Sequence, residues 1–129
     1  ANVMESARVH RLTRNQHLLF RLGEMVSFVE CAGALARRAA LATDGALPPK
    51  AAPRLDQKGL AAASRVFARR AAARVGIEGV AELMGAADAL TFDAATLAAE
   101  ADLDRILAAQ AGATEDMDVV ATSIYNRTA

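Results

Sequence analysis

The chain has no tryptophan, one tyrosine, three prolines and a single cysteine among its 129 residues. One cysteine, Cys31, excludes an intramolecular disulfide and suits a reducing compartment. Set among Val29, Ala32 and Leu35, it is expected to be a small core residue and not a nucleophile. With aromatics so few and β-branched residues so scattered, the alternation a half-buried strand needs never develops. No apolar run reaches about 18 residues and no signal peptide opens the chain. The expected location is therefore cytoplasmic or peripheral to the inner face of a membrane. The sequon Asn126-Arg127-Thr128 carries no meaning in such a setting.

Catalytic signatures are missing too. Ser6, Ser27, Ser64 and Ser123 sit inside helical patterns, without the Gly-x-Ser-x-Gly turn that presents a nucleophile. His10, His17 and Glu24 are seven apart, which on one helix separates neighbours by roughly 10 Å, too far to share a metal ion. "GIEGVAELMG" is a helical glycine pattern and not a phosphate-binding loop, because no strand precedes it. The carboxylates of "EADLD" and "TEDMD" are expected to form solvated faces and helix starts. No residue qualifies as catalytic, cofactor-binding or metal-ligating.

What the chain does have is alanine, at 33 positions. Alanine is the strongest intrinsic helix former and lets helices approach closely. The resulting expectation is an all-α fold: an antiparallel bundle of four to five helices, two of them long, in one domain over residues 1–129.

The pattern along the chain predicts a short first helix over 2–12 with Val3, Ala7 and Val9 apolar. Thr13 and Gln16 then fit a capping box, which implies a kink or restart. Leu18, Leu22, Met25, Val29, Ala32, Ala36 and Ala39 form the stripe of a long second helix, widened by Phe28 and Leu35. Asp44-Gly45 stops it, and the prolines of "ALPPKAAPRL" make a connection. Asp56 is the expected N-cap of a second long helix running to about Met84. Its stripes are Leu60, Phe67, Ala71 and Val75, with Val66, Ala73, Ile77, Val80 and Met84 beside them. Gly76 and Gly79 within it imply close backbone approach or a bend. After a turn over 85–91, Thr91 or Asp93 would cap a helix reaching Ala111, which carries Leu97, Leu103, Ile106 and Leu107 and ends at Gly112. Thr114 would cap a last one with stripe Met117, Val120, Ala121 and Ile124.

Charge is balanced overall but divided along the chain. Residues 1–75 hold 13 basic and 5 acidic side chains, whereas the remainder holds 2 basic and 10 acidic. The two halves are therefore expected to face each other or a partner across a mixed surface. Arg65, Arg69, Arg70 and Arg74 make two rails of positive charge on one helix, a candidate interaction face for a phosphate-bearing ligand or lipid headgroup. Without interleaved aromatics or a recognised motif, the sequence argues against nucleic acid.

The first 45 residues, "ANVMESARVHRLTRNQHLLFRLGEMVSFVECAGALARRAALATDG", resemble the C-terminal helical region of very-long-chain acyl-CoA dehydrogenases. Ala1, Val3 and Glu5 match an Ala-x-Val-x-Glu-Ala type opening. Asn15, Gln16, Leu18, Leu19, Arg21 and Leu22 match an Asn-Gln-Leu-Leu-x-Arg-Leu type second helix. The likeness continues loosely through "FARRAAARVGIEGVAELMG" and stops at Gly85. These are packing motifs and not a catalytic signature.

The resemblance implies a C-terminal accessory domain of a larger FAD-dependent enzyme of fatty acid β-oxidation. In that family a glutamate base removes the α proton of an acyl-CoA and hydride passes to the flavin. Base, flavin and CoA pockets lie in the preceding catalytic region, so no FAD or catalytic role falls on this segment. The family's accessory domain fills roughly the place a second dimer takes in tetrameric relatives, and it is linked to membrane-side association. A chain beginning mid-pattern at Ala1 is expected of an excised domain, although removal of an initiator Met before Ala would leave the same end. The implied partners are that catalytic region, a second copy in a homodimer, and a membrane surface. The competing expectation is a free-standing helical adaptor that binds an anionic partner through Arg65, Arg69, Arg70 and Arg74.

Overall fold

A computed structural model describes residues 2–51, 54–86 and 93–125. Among these the regular structure is entirely helical. α1 covers Asn2–Val9, α2 Gln16–Thr43, α3 Gln57–Ala73, α4 Gly79–Ala86, α5 Ala94–Glu100, α6 Leu103–Ala108 and α7 Ala113–Tyr125. A π turn over Arg74–Glu78 joins α3 to α4, making one continuous rod. Counting that rod once gives six helices among the described residues, more than the four to five expected, with α2 and the rod as the two long ones.

The boundaries of α2 follow from local chemistry. Arg11 adopts a left-handed conformation (φ 56°) and Leu12–Arg14 forms a single 3₁₀ turn, which is the expected restart. The cap itself differs from the capping box centred on Thr13. Asn15 is the N-cap, its side-chain oxygen accepting from the backbone N–H groups of His17 (3.0 Å) and Leu18 (3.3 Å). An amide oxygen one residue ahead of the helix satisfies two orphan donors at once. At the far end Gly45 takes φ +66°, and the N–H groups of Ala46 and Gly45 bond back to Leu41 and Ala42 in a Schellman arrangement.

The core lies where α1, the first half of α2, α4 and α5 meet. Val3, Ala7, Leu18, Leu22, Met25, Leu83 and Leu97 form it, with Val75, Val80 and Met84 against its edge. Farther along, α2 packs on α3 and α3 on α7. There the buried apolar groups are mostly small, Ala39, Ala62 and Ala71 beside Leu60. Apolar burial is therefore concentrated at one end, while the alanine-lined end relies on close approach and polar fastening.

Several expected core positions face solvent. Cys31 is exposed, because it lies on the side of α2 away from Leu18, Leu22 and Met25. Val9, Val29 and Ile77 are about half exposed. The single helix expected to run to Ala111 is broken at Asp102 (φ 56°), which separates α5 from α6. Asp93 caps α5, its side chain accepting from the Thr96 N–H, whereas Thr91 lies outside the described residues. Thr114 is not a cap, because α7 begins at Ala113 behind Gly112 (φ +77°).

Both glycines of the rod have a reason. A Cβ on Gly76 would overlap Ile106 Cδ1, and one on Gly79 would lie 3.0 Å from Val3 Cγ1. They mark where α6 and α1 cross the rod.

Candidate functional site

Arg65, Arg69 and Arg70 stand on α3 and Arg74 opens the π turn, and the structure gives each a neighbour. Arg65 and Arg69, one turn apart, converge on Asp116 of α7. Arg65 Nε donates to both carboxylate oxygens at 3.0 Å, and the terminal nitrogens of both arginines complete the clasp. Arg69 Nε also donates to the Ala109 carbonyl at 2.8 Å. Two guanidinium groups hold the Asp116 carboxyl at about 2, well below its ordinary 3.8, the hydrogen bonds from Arg65 and then Arg69 being the main cause. Arg70 Nη2 lies 3.9 Å from Met117 Sδ.

Arg74 faces the opposite way. It bonds Glu24 of α2 at 2.7 Å and Glu78 at 3.0 Å, and its guanidinium carbon sits 4.2 Å from the centre of the Phe28 ring. Phe28 in turn stacks on Phe67 with ring centres 6.0 Å apart. The cation, the two rings and the carboxylates tie α2 to the rod.

A third fastening joins the start of α3 to α7. Asp56 caps α3 by accepting from Gly59 N–H at 2.7 Å, and the Ser123 hydroxyl donates to the same oxygen at 2.8 Å. Those two bonds, the backbone one first, lower the Asp56 pKa. Ser123 is thus a capping partner, and no histidine stands beside it to make it a nucleophile.

These contacts turn α7 away from its expected orientation. Asp116 and Ser123 are its buried residues, while Met117 and Ile124 of the expected apolar stripe are exposed. Of the carboxylates expected to be solvated, Asp116 is buried. Its partners lie 47 and 51 positions away, so no local spacing could have shown them. The divided charges do meet, through Arg65 and Arg69 to Asp116 and through Arg21 to Glu82, but Arg8–Glu5 and Arg74–Glu24 pair within the basic half.

His10, His17 and Glu24 are all exposed. Among the described residues no three His, Cys, Asp or Glu side chains are grouped to hold a metal ion. Nor, among them, is any helix long and apolar enough to cross a membrane.

One open feature among the described residues is apolar. A groove of about 240 Å³ runs between α1 and α2, with Val3, Leu22, Met25 and Val75 at its base and Met4, Val26, Val29 and Glu30 along its rim. Met4 is 42%, Val26 44% and Val29 50% exposed, enough to make this rim a sticky strip and not a solvated face. Sequence periodicity placed Val29 in the core and gave no sign of a groove, because its lining comes from α1, α2 and the π turn together.

No family model matches this chain, and neither a curated protein nor a solved structure does.

Proposed function

We propose that the chain is a non-catalytic helical scaffold, an antiparallel bundle whose α1–α2 groove docks on the catalytic body of an FAD-dependent acyl-CoA dehydrogenase. The observation that carries this reading is the groove itself. Its rim exposes Met4, Val26 and Val29 beside the core, a contiguous apolar strip of the kind that serves as an interaction site. The same α1–turn–α2 segment carries the sequence resemblance to the accessory helices of that family, with Val3 and Leu22 common to the likeness and the groove. The partner would supply the flavin and the proton-abstracting glutamate, while this chain would stiffen the flavin domain and steady its oligomer or membrane-side placement.

The adaptor reading has less support. Arg65, Arg69 and Arg74 are already bonded to carboxylates, and an anionic ligand would have to displace Asp116 or Glu24 to bind them fully.

Mixing the purified chain with a very-long-chain-type catalytic region lacking its own C-terminal helices tests the scaffold reading. The expected result is a higher melting temperature and slower flavin loss, both abolished by Val29→Glu. Unchanged melting and flavin retention would refute it. Salt-sensitive binding to anionic vesicles, lost in Arg65→Gln/Arg70→Gln, would favour the adaptor instead.

A further inference from the structure

Along α2 the groove runs on into a longer strip. Leu22, Val26, Val29, Gly33, Ala36 and Ala40 follow one another at alternating steps of four and three. That alternation is the seam of a helix packed lengthwise on another helix. Leu22 forms the floor of the groove, Gly33 is half-buried, and the other four are exposed. The strip spans eighteen residues, roughly 27 Å at 1.5 Å per residue. Its first half is bulky and faces Val3 and Met4 of α1 and Val75 of the π turn. Its second half is small.

Charge marks one edge only. Glu30 and Arg37, seven apart, are both exposed beside the seam. Among the described residues neither has an ion pair, whereas Glu24, Glu78 and Glu82 each have one. Met25 and Ala39, on the opposite edge, are buried.

We infer that this strip seats a single amphipathic helix of the catalytic body, an inference that rests on the docking reading above and names the element that docks. The three–four alternation matches a helix, and a partner strand of period two would meet no such row. An apolar side chain of that helix fills the groove between Met4 and Val26. Beyond it, Gly33, Ala36 and Ala40 let the two backbones come close, towards the lower end of the roughly 8–10 Å between packed helix axes. The edge charges fix the rest of the chemistry. Glu30 calls for a base on the partner, and Arg37 for an acid two turns away from it. Edge charges of this kind set which helix pairs and in which direction.

Calorimetric titration of the chain into a very-long-chain-type catalytic region lacking its own C-terminal helices tests this. Gly33→Leu favours the helix of the free chain, so circular dichroism should stay intact while binding weakens by roughly ten-fold. Glu30→Gln should weaken binding several-fold, and Glu30→Lys more. Hydrogen exchange in the complex should find protection on one helix of the catalytic region that carries an apolar face with a basic and an acidic residue beside it. Binding lost in Val29→Glu but unmoved by Gly33→Leu and Glu30→Lys overturns the helix inference and leaves the groove docking standing. A footprint on a loop or a strand edge does the same. Absence of binding by the unaltered chain overturns both. A dimer of the chain in sedimentation velocity, abolished by Gly33→Leu, would give the strip to a second copy and overturn the inference as well.

Discussion

Gly59→Ala sets two physical effects against each other at one methyl group. Gly59 stands in the first turn of α3, where alanine would ordinarily favour the helix by up to about 1 kcal/mol. The structure opposes this. A Cβ built on Gly59 lies 2.5 Å from Ser123 Cβ and 2.8 Å from Asp56 Oδ1, and overlaps Ser123 Oγ. Ser123 Cβ is fixed to the backbone of α7, so relief requires moving the helix and not turning a side chain. Overpacking of that kind costs about 1–3 kcal/mol. Pushing Ser123 away also weakens the Asp56 cap, whose loss is worth about 1 kcal/mol. The net expectation is destabilisation by about 1–3 kcal/mol, with roughly 3–5 °C of melting temperature for each kcal/mol in a chain of this size.

Urea denaturation monitored by circular dichroism measures the change. Gly23→Ala serves as the control, because nothing lies within 4 Å of its added methyl and the variant should be more stable than the parent by about 0.5–1 kcal/mol. Introducing Ser123→Gly beforehand should remove most of the penalty of Gly59→Ala. If Gly59→Ala matches Gly23→Ala in stability while Ser123 is intact, α3 and α7 do not approach as closely as described, and the account of that interface fails.

The Asp116 clasp carries its own pH signature. Its depressed pKa makes its contribution complete above the ordinary aspartate value of 3.8 and progressively lost as pH falls towards about 2. Stability measured from pH 5 to pH 2 should therefore decline more steeply in the parent than in Asp116→Asn, and parallel curves would refute the clasp. Leu83→Ala, at a fully buried side chain, should cost about 2–5 kcal/mol, against less than about 0.5 kcal/mol for Leu107→Ala at 56% exposure. Equal losses at the two sites, read by thermal melting, would mean that the core has been misplaced.

The fold class, the two long helices, the stop at Asp44-Gly45 and the Asp56 cap were all legible in the sequence, because each depends on residues within one or two turns of each other. Leu18, Leu22 and Met25 announced the buried side of α2 by their spacing alone. What escaped was set by contacts across the chain. Asp116 looked like a helix-start acid because Arg65 and Arg69 lie in a distant segment, and its burial turned Met117 and Ile124 outward. Cys31 looked apolar among its sequence neighbours, yet the 100° step per residue carries it to the side of α2 away from Leu18, Leu22 and Met25. For the candidate groove, spacing placed Val29 in the core and did not single out Met4 or Val26, because the lining comes from α1, α2 and the π turn together.

The π turn between α3 and α4 has a further consequence. A wide turn accommodates one more residue than an α turn while the helix on either side keeps its phase. Removing Ile77, half exposed within that turn, would let the rod tighten into ordinary α-helix with Leu83 still directed at the core. A one-residue deletion at Ala68, where no slack exists, would instead rotate everything beyond it by about 100° and swing Leu83 out of register with Leu22 and Leu97. The rod thus holds one site where the chain can shorten without scrambling its own interior.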